Sequence, residues 1–329
     1  MELLIYLILF LLVLIVSSTT NKLLPFLPLP LVQILLGIVI GLFLPNTDFH
    51  LNTELFLALV IGPLLFRESE EADITAILKH WRIIVYLIFP VIFISTLSLG
   101  GLSHLLWLSL PLAACLAVGA ALGPTDLVAF ASLSERFSFP KRVSNILKGE
   151  GLLNDASGLV AFQVALAAWT TGAFSLGQAG SSLIFSILGG FLIGFLTAMT
   201  NRFLHTFLLS VRATDIASEL LLELSLPLVT FFLAEEVHVS GIIAVVVAGI
   251  LKASRFKKIT LLEAQVDTVT ETVWHTVTFM LNGSVFVILG IELEMIAEPI
   301  LTNPIYNPLL LLVSLVALTF VLFAIRFVM

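Results

Sequence analysis

The sequence predicts an all-α polytopic membrane protein with about eleven transmembrane helices, and three observations lead there. Of 329 residues, 59% are hydrophobic and 11% are charged. A soluble domain carries roughly 25% charged residues, so the polar ones here are too few to cover a water-soluble ball. Turn residues and charges divide the chain into eleven apolar runs, most of them close to the ~20 residues that cross a bilayer. Every Lys and Arg except Arg326 lies in or beside the connections after odd-numbered runs, the alternation that the positive-inside rule demands. This composition excludes a soluble enzyme and a disordered chain, and the net charge of −7 excludes a nucleic-acid binder. The single cysteine, Cys115, allows no intrachain disulfide and suggests no thiolate metal cluster.

The first run, 3–19, lacks the basic start of a cleaved signal and reads as a span. Pro25, Pro28 and Pro30 form a stiff link to the second, 28–44. The others lie near 54–67, 83–103, 108–134, 145–169, 180–206, 216–236, 239–254, 273–291 and 308–328. Basic residues such as Lys22, Arg67, Lys79, Arg136, Lys148, Arg202, Arg212, Lys252 and Lys258 mark the odd connections as cytoplasmic. The N-terminus is then outside, in a multi-pass protein of the cell membrane. The 255–272 stretch mixes charges with spaced apolar residues and predicts an amphipathic cytoplasmic helix leading into the tenth span.

Ionisable groups inside spans cost roughly 2.5–3.5 kcal/mol each on insertion scales and need a partner or a task. The fifth span contains Gly123-Pro124-Thr125-Asp126. Gly and Pro weaken the helix there, and Pro124 has no N–H to donate. This predicts a broken helix at 123–127, with free carbonyls ending one half and Thr125 or Asp126 capping the next. Such carbonyls are hard oxygen ligands of the kind a small cation prefers. A proline kink with a capping aspartate is the plainer reading of this motif alone. The sixth span, however, contains Gly149-Glu150-Gly151-Leu152-Leu153-Asn154-Asp155-Ala156-Ser157-Gly158. Glu150, Asn154 and Gly158 share one helical face, and Asp155 lies about 100° round from Asn154. Asp155 stands about 10 Å along the helix from Lys148, near mid-membrane. Glu219 and Glu223 also share a face, for which a structural role is expected. The pairs Gly37–Gly41 and Gly190–Gly194 have the spacing that lets helices pack closely.

The run GPTDLVAFASLSERFSFPKRVSNILKGEGLLNDASGLV (123–160) resembles the signature of the monovalent cation:proton antiporter-1 family, the NhaP/NHE-like sodium/proton exchangers. SELLLELSLPLVTFFLAEEVHVSGIIAVVVAGI (218–250), FMLNGSVFVILGIEL (279–293), PLLF (63–66) and the AIR of 324–326 are similar to the same family, in the same order. The resemblance implies secondary active transport, an electroneutral exchange of Na⁺ (or K⁺ or Li⁺) for H⁺ with no cofactor and no resident metal. Asp155 would carry either the proton or the cation, exposed alternately to each side. Thr125 and Asp126 would complete or tune the site from the broken helix. Asn154 stands where electrogenic relatives have a second aspartate, which implies one-for-one exchange. Glu150 and Arg326 resemble a buried ion pair of the family. From the residues alone, Arg326 could equally snorkel to the interface. No HExxH pair and no Ser–His motif is present, so no enzyme is expected.

Departures from the family pattern are Leu127 in place of a proline, Gly151 where some members have a serine, Arg67-Glu68 after PLLF, and His275 where a glutamate is usual. The resemblance also implies a thirteen-helix inverted-repeat fold and a homodimer in the bilayer. On that plan a scaffold and dimer part spans 1–67 and 207–296, and a core ion-transport part spans 83–169 and 308–329. The last two core spans are then expected to be absent. This makes a truncated, non-transporting remnant the alternative expectation.

Overall fold

A computed structural model describes residues 2–24, 26–43, 52–72, 79, 81–124, 139–171, 176–211, 215–253, 261–302 and 308–328. The helices are α1 (Glu2–Leu23), α2 (Leu29–Phe43), α3 (Thr53–Phe56), α4 (Gly62–Glu71), α5 (Trp81–Leu106), α6 (Leu112–Leu122), α7 (Lys141–Thr171), α8 (Leu176–Ser210), α9 (Ile216–Glu236), α10 (Gly241–Ala253), α11 (Leu261–Thr302) and α12 (Pro308–Val328). Ten of the eleven apolar runs coincide with one of these helices or a short series of them; the fifth, 108–134, is helical over Leu112–Leu122, and 125–134 lie outside the described residues. Among the described residues, Ile184–Ser210, Ile216–Glu236, Thr268–Ala297 and Leu309–Val328 are long and apolar enough to cross a membrane unaided, and six shorter apolar helices accompany them.

Several details follow from local chemistry. Between α3 and α4 the chain makes a π-helical turn over Leu57–Ile61, and the Gly62 N–H reaches back to the Leu57 carbonyl. Pro63 follows immediately and would lack a donor and crowd an ordinary α-turn, so the widened turn accommodates it. Asp215 caps α9, its carboxylate accepting the Ser218 N–H at 2.8 Å. At the other end of α9, the Val239 N–H bonds the Ala234 carbonyl and the His238 N–H bonds that of Glu235. His238 takes φ of 57°. This is the left-handed helix stop in which the two flanking apolar residues, here Ala234 and Val239, pack together. The predicted amphipathic helix is not a separate element. From Leu261 onward it is continuous with the tenth span as α11, and 254–260 lie outside the described residues.

The helices pack as two groups. In one, α5, α6 and α7 pack on one another and α12 lies against α5. In the other, α2 packs along α11, while α4, α8 and α9 surround α10. The second group encloses the main apolar core of Phe66, Phe231, Ile242, Val245 and Trp274. Where α7 passes α4, α8 and α10 the two groups meet.

Glycine sets how close the helices come. A Cβ on Gly37 would lie 2.2 Å from the Val287 carbonyl oxygen, and one on Gly290 2.2 Å from that of Ile34. A Cβ on Gly194 would lie 2.2 Å from the Ala244 oxygen. Both glycine stripes read from the sequence are therefore used inside the chain, one for α2 on α11 and the other for α8 on α10.

Candidate functional site

The site is built where α6 stops. Its last helical residue is Leu122, with Gly123 and Pro124 outside the helix. The final carbonyls of a helix have no partner within it. Pro124, having no N–H, cannot supply the bond that the Ala120 carbonyl would otherwise receive. The helix α7 crosses this point with its smallest residue: a Cβ on Gly158 would lie 2.1 Å from Pro124 Cγ and 3.5 Å from the Ala120 oxygen. Gly158 is thus a packing requirement, the third member of the Glu150–Asn154–Gly158 face, and that whole face is buried.

On this face Glu150 is 2% exposed and Asn154 is fully buried. The guanidinium of Arg326, from the last turn of α12, donates Nη1 to Glu150 Oε1 and Nη2 to the Gly123 carbonyl at 2.7 Å. Asn154 Nδ2 donates to the same Glu150 oxygen at 3.4 Å. One arginine therefore ties together α12, α7 and the end of α6. A carboxylate buried in a span is tolerated when it is paired and hydrogen-bonded, and here it is both. The Arg326 side chain is directed inward onto Glu150, away from the snorkelling alternative. Its partner lies 176 positions earlier in the chain.

Of the other sequence-predicted residues, Asp155 sits in α7 directly after Asn154, and its side chain lies outside the described residues. Thr125 and Asp126, with the remainder of the predicted break to 127, also lie outside them.

A second polar cluster joins the other helix group. Lys252 Nζ lies 2.7 Å from Glu223 Oε1 and 3.1 Å from Glu70 Oε1. Arg67 Nη1 lies 3.0 Å from Glu70 Oε2, and its Nε lies 2.6 Å from Glu71 Oε1. Trp274 Nε1 donates to Glu223 Oε1 at 3.1 Å. Two aromatic faces close the cluster, with Arg67 over Trp274 and Lys252 over Phe66. Arg67 and Lys252, the flanks of two odd-numbered connections, lie within the helix ends, and Lys252 is nearly buried. The intramembrane glutamate Glu223 was the available signal for this cluster, since it required a cation close by. Its neighbour Glu219 meets His205 at 3.4 Å. His275 points outward, beside the buried Trp274. Among the described residues no cluster of His, Cys, Asp and Glu has the makings of a resident metal site.

Residues 7–329 match the family described as "Sodium/hydrogen exchanger, transmembrane". The sodium, potassium, lithium and rubidium/H⁺ antiporter of Bacillus subtilis (strain 168) is 38% identical over 313 residues, covering 95% of this chain and 47% of that protein. The uncharacterized Na⁺/H⁺ exchanger YjcE of Escherichia coli (strain K12) is 32% identical over 302 residues, covering 91% of this chain and 54% of YjcE. The chain spans about half the length of these curated relatives. In fold it is similar to the sodium proton antiporter MjNhaP1 from Methanocaldococcus jannaschii, solved at pH 8, with a TM-score of 0.67 at 20% identity over 88% of this chain and 71% of that one.

Proposed function

The chain belongs to the sodium/hydrogen exchanger family, and on that premise we propose that it exchanges an alkali cation, Na⁺ and in second place K⁺ or Li⁺, for H⁺ across the cell membrane. The observation that carries this reading is the tie of Arg326 to Glu150 and the Gly123 carbonyl. It neutralises the one carboxylate of the Glu150–Asn154–Gly158 face and holds the helix end beside it. Asp155, one residue beyond Asn154, is then the carboxylate left to carry charge.

The proposed mechanism is competition. A carboxylate withdrawn from water is unstable as a bare charge, so it holds either a proton or a cation. Backbone carbonyls freed at the break, together with Thr125 and Asp126, would supply further oxygen ligands to a partly dehydrated cation. Alternating exposure of that one site to the two sides then couples the two fluxes. With Asn154 in place of a second carboxylate, one cation exchanges for one proton and no net charge moves. Basic residues at the odd connections support an outside N-terminus.

A homodimer is proposed by analogy with the family. Its interface would use surfaces other than the two glycine stripes, which α11 and α10 already occupy.

The test is exchange in proteoliposomes under an imposed pH gradient. Asp155→Asn should abolish Na⁺-dependent proton flux while leaving the melting temperature in detergent near that of the unaltered protein. Undiminished exchange in that variant would remove Asp155 from the role.

A further inference from the structure

Many hydroxyls inside the described helices follow one habit. Ser17, Thr19, Thr197, Thr200, Thr206, Ser225, Thr272, Thr276, Ser284, Ser314 and Thr319 each donate to a carbonyl three or four residues earlier. That is the ordinary way to satisfy a hydroxyl in a helix. Among the described residues, four helical hydroxyls depart from it: the buried hydroxyl oxygens of Ser95, Thr96 and Ser103 in α5 and of Thr270 in α11 have no hydrogen-bond partner. Ser95 and Ser103 are each 0% exposed. A hydroxyl withdrawn from water and left unpaired costs free energy, so it calls for an explanation that the packing of α5 on α6 does not provide.

Ser95 is distinguished by position. A Cβ on Gly123 would lie 3.6 Å from Ser95 Cβ, and 3.7 Å from the Ala120 carbonyl oxygen. Ser95 therefore abuts the helix end where Pro124 withholds a donor from Ala120 and where Arg326 holds the Gly123 carbonyl. Ser103 shares its helix and its burial but lies eight residues on, about 12 Å along the axis.

We propose that Ser95 is a further ligand of the transported ion, its hydroxyl giving a hard oxygen to an alkali cation, or to the water that cation retains, beside the Ala120 carbonyl. The free hydroxyl is held for an ion that sits at the end of α6 only during transport. This inference rests on the antiport reading above.

The experiment measures the Na⁺ dependence of exchange in proteoliposomes and the Na⁺-induced rise in melting temperature in detergent, for the unaltered chain, Ser95→Ala and Ser103→Ala. Ser95→Ala is expected to raise the KM for Na⁺ about five- to tenfold, the loss of roughly one ligand contact. Its maximal rate should stay within about twofold, and its Na⁺-induced stabilisation should shrink in parallel. Without Na⁺ its melting temperature should equal or exceed that of the unaltered protein, because an unpaired hydroxyl has been removed from an apolar setting. Ser103→Ala should keep the original KM. An unchanged KM in Ser95→Ala, or an equal rise in both variants, would overturn the assignment while leaving the antiport reading standing. If the unaltered chain shows neither Na⁺-dependent exchange nor Na⁺-induced stabilisation, the antiport reading falls and the ligand role of Ser95 falls with it.

Discussion

The two polar clusters, one centred on Arg326 and the other on Lys252, solve the same problem in different surroundings. Each places charge among apolar helices, and each neutralises it by pairing. Around Lys252 the spare hydrogen-bonding and electrostatic capacity is taken up by side chains: a second carboxylate, an indole N–H and two aromatic faces. Around Arg326 part of it is spent on the backbone, on the carbonyl of Gly123 where α6 ends. A side-chain network of the first kind locks helices together. A guanidinium on a freed carbonyl does this too, and it also fixes the position of a helix end whose Ala120 carbonyl lies beside Gly158 of α7. On the proposed antiport reading, the difference separates a cluster suited to holding a scaffold from one suited to holding an ion site.

Mutations can break this comparison, and the largest effect is expected at Arg326. Arg326→Met leaves Glu150 buried without its cation, which should cost about 3–5 kcal/mol of stability. Exchange should be lost with it. Adding Glu150→Gln should recover much of the melting temperature but not the exchange, because the Gly123 carbonyl still lacks its donor. Full recovery of exchange in the double variant would show that the pair serves packing alone.

Next come the glycines, which test whether close approach matters equally in both helix groups. Gly158→Ala and Gly290→Ala each push a methyl group to about 2 Å from a neighbour, and each should cost about 2–3 kcal/mol by overpacking. Only Gly158→Ala should also alter the KM for Na⁺, since only its neighbour is the break. Equal effects on KM would mean that the two groups move as one.

Lys252→Met should cost about 2 kcal/mol, less than Arg326→Met because Glu70 and Glu223 keep partners in Arg67 and Trp274. Thermal unfolding should register the loss, with the KM for Na⁺ unchanged. A raised KM would bring this cluster into the transport path.

The smallest effect belongs to the exposed cap of α9. Hydrogen bonds from Ser218, side chain first and then backbone, hold the Asp215 carboxyl below its usual range. A depressed folded-state value means stability that is fully present above the ordinary carboxylate range and lost as pH falls through the lowered one. The difference in melting temperature between the unaltered protein and Asp215→Ala should therefore be slight at neutral pH and vanish in acid. A difference that persists in acid would show that the cap works without its charge.

Much of this architecture could be read from the sequence because it rests on one-dimensional signals. Apolar runs, turn residues and the alternation of basic connections locate the spans, since a bilayer imposes a length and a charge asymmetry on any chain that crosses it. The face shared by Glu150, Asn154 and Gly158 was legible from helical spacing, and the end of α6 near Gly123-Pro124 from the loss of a backbone donor. The sequence left open whether Arg326 would snorkel or turn inward. It also did not give the partners of Lys252 and gave no notice of Ser95. Those outcomes depend on contacts between helices far apart in the chain: Arg326 with Glu150, Lys252 with Glu70 and Glu223, Ser95 with Gly123. Periodicity specifies which face of a helix is polar, but only packing decides what that face meets. In an apolar interior the partner it meets determines whether a charge is tolerated and whether a hydroxyl stays free.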